Sequence, residues 1–504
     1  MTESLPNGWV RATLDDVVDV RDFEREPINS SERESRINGK NESDLYPYYG
    51  ATGQVGFIDA FRSEGQRVLL GEDAAPFLDP TKDKAYLVNG RFWVNNHAHV
   101  LAGAAGLIDN KFICHQLNTV DYHPFVTGST RLKLTSSAMK QIPMVVAPAA
   151  EQTRIVAKLE ELLSDLDAGV AELKAAQKKL AQYRQSLLKA AVEGALTAEW
   201  RAQNLPTETG AQLLARILTE RRARWAAKQL AKFKAQGKAP PKDWQKKYPE
   251  PVPPDTSDLP ALPAGWVWAN LDMLIEDGPQ NGLYLPRDLY GTGVPMLRID
   301  DYQIGWHRER SDLNLVDADA PTIALYSLHV GDLVINRVNS MSHLGKSLKI
   351  GESLNGVLFE SNMMRLRLSD HVSVDYVSLY LGSDVGRARL TNDAKWAVNQ
   401  ASINQQDAKR TPIPLPSNAE QMVIADLLQT QLEAIVSQAE AVDGGLKQST
   451  AQRQNILRAA FAGQLVPQDP ADEPASVLLE RIRAERAAQF AVKKPRGRKP
   501  KETA

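Results

Sequence analysis

Apolar residues recur along 151–193 at alternating steps of four and three. Ile155, Leu159, Leu162, Leu166, Gly169, Leu173, Ala176, Leu180, Tyr183, Leu187 and Ala190 draw one stripe down a helix able to supercoil with a partner. A second stripe keeps the same rhythm through Leu428, Leu432, Ile435, Ala439, Val442, Leu446, Ile456 and Ala460, with Ser449 and Arg453 interrupting it. Prolines precede each run (Pro143 and Pro148; Pro412, Pro414 and Pro416), and Gly194 and Gly463 close them, the punctuation expected of helix ends. The first run would extend roughly 63 Å at 1.5 Å per residue. Two such helices in one chain can pair antiparallel into a rod of fixed length. Elsewhere the pattern changes to short β-favouring runs broken by glycine and asparagine: Val68–Leu70, Ala85–Val88, Phe92–Val94, Leu333–Ile335 and the alternating Met364–Leu368.

The chain repeats itself. Leu5-Pro6-Asn7-Gly8-Trp9-Val10 returns as Leu262-Pro263-Ala264-Gly265-Trp266-Val267, and Glu151-Gln152 as Glu420-Gln421. Arg184-Gln185-Ser186-Leu187-Leu188-Lys189-Ala190-Ala191 matches Arg453-Gln454-Asn455-Ile456-Leu457-Arg458-Ala459-Ala460, and Gly194 matches Gly463. A third block, Leu213-Leu214-Ala215-Arg216-Ile217, matches Leu478-Leu479-Glu480-Arg481-Ile482. Three blocks in the same order, twice, mark a tandem duplication. Residues 20–140 and 278–410 show no similarity that can be aligned, so the scaffold is shared while its inserts diverge. The predicted fold is α+β: two tandem αβ domains separated by two long helices that pair as an antiparallel coiled coil, with pseudo-twofold internal duplication. The expected boundaries are 1–148, a helix over 149–195, a basic linker over 196–260, a second domain over 261–417, a helix over 418–463, and a C-terminal helix with a basic tail over 464–504.

With 504 residues, more than one domain is expected. Sixty basic and 62 acidic side chains leave a net charge of -2, so nucleic-acid binding has to be argued from local charge. Two places carry it. From 216 to 247 eleven Lys or Arg face only Glu220 and Asp243, with Trp225, Phe233 and Trp244 interleaved, and 493–501 is a short basic tail. No apolar run approaches the roughly 20 residues that cross a bilayer, no basic-then-apolar leader opens the chain, and Cys114 stands alone. A cytoplasmic location without membrane contact is expected.

Enzyme signatures fail. Gly345-Lys346-Ser347 has the end of a phosphate-binding loop, but Ser340 stands where the cradle needs its first glycine. No Gly-x-Gly-x-x-Gly opens a helix after a strand, and no Asn/Asp-Pro-Pro-aromatic tetrapeptide is present. His97, His99, His115 and His123 lack the carboxylate or thiolate companions of a metal set. No catalytic residue, metal site or bound cofactor is expected. Side chains that read DNA are more plentiful: Asn95, Asn96, His97, Ser129, Arg131 and Lys133 in the first insert, and Arg337, Asn339, Lys346, Lys395, Asn399 and Gln400 in the second. Arg and Lys match guanine's acceptors, Asn and Gln match adenine, and Ser, Thr and Lys hold phosphates. Each taken singly is equally a loop residue satisfying its own backbone; recurrence in both inserts gives them weight.

These motifs together resemble the specificity subunits of type I restriction–modification enzymes. The resemblance rests on the Leu-Pro-x-Gly-Trp openings, Ile142-Pro143-Met144 and Ile413-Pro414-Leu415-Pro416, the Glu-Gln helix starts and the Gln-x-Leu/Ile-Leu-Lys/Arg-Ala-Ala…Gly helix ends. Within the inserts it rests on Tyr48–Gly53, Phe92–His99 and Gly331–Arg337, which adds Tyr49 and Thr52 to the candidates. The resemblance implies a non-catalytic subunit with two target-recognition domains, each reading half of an asymmetric, split duplex-DNA site, and with paired helices that set the gap. It implies docking of two methyltransferase subunits, which carry S-adenosylmethionine for adenine methylation, and of restriction/translocase subunits. The 216–250 insertion departs from the pattern: it is a linker helix, a docking element or a phosphate contact, and docking is the favoured expectation. The rival readings are a coiled-coil scaffold without sequence-specific DNA binding and an orphan DNA-modifying enzyme.

Overall fold

The computed structural model describes residues 5–303, 306–340, 343–397 and 400–492. The basic tail and Asn399 lie outside the described residues. The chain divides into two compact units, Met1–Ala175 with Val442–Ala504 and Ala176–Ala441. Both unit boundaries fall inside the long helices Ala149–Val192 and Asn418–Phe461, so each helix gives one half to each unit.

In the first unit the strand Val10–Thr13 pairs antiparallel with Pro143–Val146, Val10 facing Val146. The insert between them builds a four-stranded antiparallel sheet in the order Val18–Val20, Ala98–Gly103, Arg67–Gly71, Ala85–Val88. Beside it, Tyr46–Gly50 pairs antiparallel with Gly53–Ile58 and parallel with Arg91–Val94. Leu70, Leu101, Ile113, Leu117, Tyr122 and Met139 fill the core. In the second unit Val267–Asn270 pairs with Pro412–Leu415 in the same way. The sheet order is Ile275–Asn281, Met363–Leu368, Asp332–Asn336, Ser347–Lys349, again antiparallel. Tyr290–Leu297 lies antiparallel to Asn314–Val316 and parallel to Leu358–Phe359. Inserts without alignable sequence therefore share one strand order. A sheet constrains which positions are buried more tightly than which apolar residue fills them.

The repeated motifs assemble one joint, built twice. Trp9 Nε1 donates to Glu151 Oε2 at 2.9 Å, and Trp266 Nε1 to Glu420 Oε2 at 2.8 Å. Gln152 Nε2 donates to the Ala147 carbonyl, and Gln421 Nε2 to that of Pro416. Gly463 and Gly194 adopt left-handed φ values of 69° and 74°. A Cβ on Gly463 would lie 2.3 Å from Pro6, and one on Gly194 2.5 Å from Pro263. Only glycine suits both the conformation and the space. The end of each long helix thus docks on the Leu-Pro-x-Gly-Trp opening of the unit to which that helix end belongs.

The third repeated block closes each core. In the second unit the helix Gly210–Ala235 inserts Leu213, Leu214 and Ile217, and its Gly210 amide donates to the Gly265 carbonyl. In the first, Ala475–Val492 inserts Leu478, Leu479 and Ile482, and the Ala475 amide donates to the Gly8 carbonyl. Residues expected to form a linker are, over 210–217, part of a hydrophobic core.

Within each unit the two long helices pack antiparallel, the early half of one against the late half of the other. Arg453 Nη2 meets Asp167 at 2.8 Å in the first unit, where Leu173 packs on Gly445; in the second, Tyr183 Oη donates to Gln431 at 3.4 Å. Ile155, Leu159, Leu187, Leu428, Ile435 and Ile456 are buried. Leu162, Leu166, Leu173, Leu180, Leu432, Val442 and Leu446 are half-buried, and Tyr183 is exposed, because two helices alone cover only part of each other. Burial is completed where a helix also meets its sheet domain, which recruits the off-stripe Val156, Leu163, Leu188 and Val192.

Candidate nucleic-acid interface

In the first unit three distant segments converge at one end of the sheet domain. The Glu72 amide donates to the His97 carbonyl at 2.8 Å, the Leu134 amide to Glu72 at 2.7 Å and the Ala74 amide to Leu132 at 3.1 Å. These bonds stitch the 71–75 turn, the 95–98 turn and the hairpin Val126–Thr127/Lys133–Leu134 together. Gly71 permits the approach: a Cβ there would lie 2.4 Å from the Ala75 Cβ and 3.2 Å from the Ala51 carbonyl, so the 50–53 hairpin turn joins the same end. Thr52, Asn96, Ser129, Arg131 and Lys133 are exposed on this surface and His97 is half-exposed.

The basic side chains here are held by acids. Arg131 Nη2 meets Asp73 at 3.0 Å, His97 Nδ1 meets the same carboxylate at 2.7 Å, and Lys133 Nζ meets Glu72 at 3.2 Å, beside Arg25. Beneath them buried His99 places Nδ1 2.8 Å from Asp22 and Nε2 3.1 Å from the Leu134 carbonyl. Burial pushes the Asp22 and Glu72 carboxyls up, but bonds from His99 and Arg25 outweigh it, so both titrate below the usual carboxylate range. Arg131 and Lys133 are more than half exposed, and each acid keeps a second partner, Asp73 with His97 and Glu72 with Arg25. Arg131 and Lys133 can therefore exchange their acids for phosphate or a base edge at low cost.

Two of the sequence candidates lie behind this surface. The half-buried Tyr49 ring packs edge-on to Phe92 at 5.8 Å and against Tyr86. Asn95 is buried, and its Oδ1 accepts the His97 amide at 2.8 Å. Both shape the turn that presents Asn96 and His97 and are not exposed contacts themselves.

In the second unit the hairpin Lys395–Ala397/Gln400–Ser402 takes the same place in chain order and pairs with Val338–Asn339. Lys395 and Gln400 are exposed, and Trp396 is 72% exposed. Arg337, Asn339 and Lys346 brace this region. Arg337 Nη1 donates to the Ser361 carbonyl at 3.1 Å, and Asn339 Oδ1 accepts the Ser340 amide at 2.7 Å. Lys346 Nζ donates to the carbonyls of Ile299 and Tyr302 at 3.1 and 3.0 Å, and burial lowers its pKa. Lys346 is half-buried, its ammonium turned to these two carbonyls. Sequence reasoning missed the exposed aromatics Tyr284 and Trp306; single rings among turn residues carry no pattern, and only their exposure distinguishes them. Among the described residues no group of His, Cys, Asp or Glu is arranged to hold a metal ion, and no helix is long and apolar enough to cross a membrane.

Residues 6–176 match the family model described as the type I restriction modification DNA specificity domain. A Haemophilus influenzae protein named for a type I restriction enzyme specificity subunit is 35% identical over 149 residues, 30% of this chain and 36% of that one. The Escherichia coli EcoKI specificity subunit is 25% identical over 402 residues, 76% of this chain and 73% of the relative. The EcoDI specificity subunit, also from Escherichia coli, is 24% identical over 477 residues, 90% and 91% of the two chains. A chain from a structural study of complex assembly and conformational transition in the type I R-M system has the same fold, with a TM-score of 0.58 at 16% identity, covering 92% of this chain and 99% of that one.

Proposed function

We propose that the chain is a specificity subunit of a type I restriction–modification system, the reading its matches support, and that it reads an asymmetric, bipartite duplex-DNA site, one half-site per unit. The observation that carries this reading is one joint and one strand order built twice, with different exposed side chains on each insert. A conserved frame with divergent readers is what two unlike half-sites require. In the first unit Asn96, His97, Ser129, Arg131 and Lys133 face the groove, Thr52 flanks them, and in the second Lys395, Trp396 and Gln400 do so. The paired helices fix the spacing between half-sites, which must bring both readers to grooves separated by about 34 Å or a multiple.

The chain supplies recognition, and its partners supply the chemistry. Two methyltransferase subunits dock on the helical region and carry S-adenosylmethionine for adenine methylation, and restriction/translocase subunits join through them. A chain of net charge -2 has few phosphate contacts of its own, so binding alone is modest and strongly salt-dependent, and partners around the duplex strengthen it. Deleting one heptad from each long helix tests the spacing. The tolerated gap changes while each half-site keeps its sequence; an unchanged gap contradicts the assignment.

A further inference from the structure

The helix Gly210–Ala235 is two elements in one. Its first turns join the core of the second unit, and every arginine along it has an acidic partner: Arg216 with Glu208 at 2.7 Å, Arg221 with Asp272 at 3.3 Å, Arg222 with Glu250 at 2.9 Å and Arg224 with Glu276 at 3.5 Å. Beyond Arg224 the arginines stop and lysines begin. Lys228, Lys232, Lys234, Lys238, Lys242 and Lys247 are all exposed, and none has an ion pair among the described residues. Lys246 alone meets an acid, Asp243, at 3.2 Å. The segment is nevertheless built. Trp225 stacks on Trp244 at 5.6 Å, Phe233 meets Trp244 edge-on at 6.0 Å, and Tyr248 packs against Trp225 at 5.4 Å, folding 238–250 back along the helix.

This distribution decides between partners. Protein interfaces favour aromatics and arginine and are depleted in lysine. Here the aromatics pack on one another, the arginines are consumed in ion pairs, and lysine is what faces outward. Lys228 and Lys232 stand one turn apart, about 6 Å along the helix axis. A duplex strand carries one phosphate per nucleotide, so two lysines spaced this way can reach neighbouring phosphates. Compact, mobile ammonium groups suit that contact and read no sequence.

We propose that residues 225–250 form a sequence-independent arm that holds the DNA backbone through these six lysines. The arm adds to the DNA-recognition function proposed above and rests on that reading. The test uses the full-length chain, a duplex carrying its recognised site and an unselected duplex of equal length, titrated across salt. Replacing all six lysines by glutamine weakens both duplexes by the same factor. It also reduces the salt slope by about 3 if only half of them lie on phosphates, at 0.9 each. Replacement by arginine retains the slope, which separates charge from misfolding. An unchanged slope in the glutamine variant overturns the arm alone. Unchanged DNA binding with lost capture of methyltransferase subunits also overturns it and makes the surface a protein dock. Failure of the unaltered chain to bind either duplex, alone or with its subunits, sinks the recognition function and the arm together.

Discussion

The two units share a joint but do not stabilise it alike. Glu420 accepts from Trp266, from Thr197 Oγ1 at 2.7 Å and from Arg201, so its buried carboxylate has a cation. Glu151, 1% exposed, accepts from Trp9, while Arg154 close by turns to Asp472 at 2.6 Å. Burial pushes the Glu151 carboxyl above its ordinary range. Duplication preserved the geometry, and divergence replaced the electrostatics around it. The comparison separates what the joint needs, an indole hydrogen bond and a glycine, from what each copy can vary.

The largest test removes a shared part. Trp9→Ala and Trp266→Ala each destabilise their own unit by about 3–5 kcal/mol, through lost packing and an orphaned buried acceptor. Hydrogen exchange reads this as lost protection confined to that unit; one mild and one severe outcome would show that the joints are not equivalent. Gly194→Ala and Gly463→Ala force a side chain into left-handed backbone and onto a proline, costing about 1–3 kcal/mol each, measured as a lower unfolding midpoint.

Arg201→Met sharpens the difference. It strands a buried carboxylate and costs about 3 kcal/mol in the second unit, whereas Arg154→Met removes a more exposed arginine, 37% against 19%, and costs less, about 1–2 kcal/mol. Equal costs would erase the electrostatic contrast. The smallest effect is a pH dependence. Because the Glu151 pKa is raised in the folded state, its contribution is fully present below the unfolded value and is lost as pH rises through the folded one. Glu151→Gln keeps the acceptor for Trp9, so thermal melting of the variant declines less than that of the parent from acid to neutral pH. Parallel melting curves would remove Glu151 from the account.

Much of the frame was legible in the sequence because its constraints are local. The long helices declared themselves by heptad spacing, the strands at Val68–Leu70 and Leu333–Ile335 by composition, and the joint by its repeated words. The equivalence of the inserts was not legible, since strand order is a long-range property that many apolar sequences satisfy. Nor was the destination of Leu213-Leu214, because no local signal says which core a helix enters. Among site residues, Arg131 and Lys133 lie on the exposed surface. Asn95 is buried and its side chain accepts the His97 amide, while half-buried Arg337 and Lys346 donate to carbonyls: the donors and acceptors suited to a base edge also satisfy the backbone, and the sequence does not say which partner each finds.

The central claim is that one insert reads one half-site while the helices hold the gap. Sequencing of methylated adenines in cells carrying this chain and the methyltransferase subunits proposed for it, before and after residues 20–140 are exchanged for the corresponding insert of a type I specificity subunit, tests it most directly. The account predicts a split, asymmetric motif in which one half changes while the other half and the gap stay fixed. A continuous motif, or a change in both halves, would contradict it.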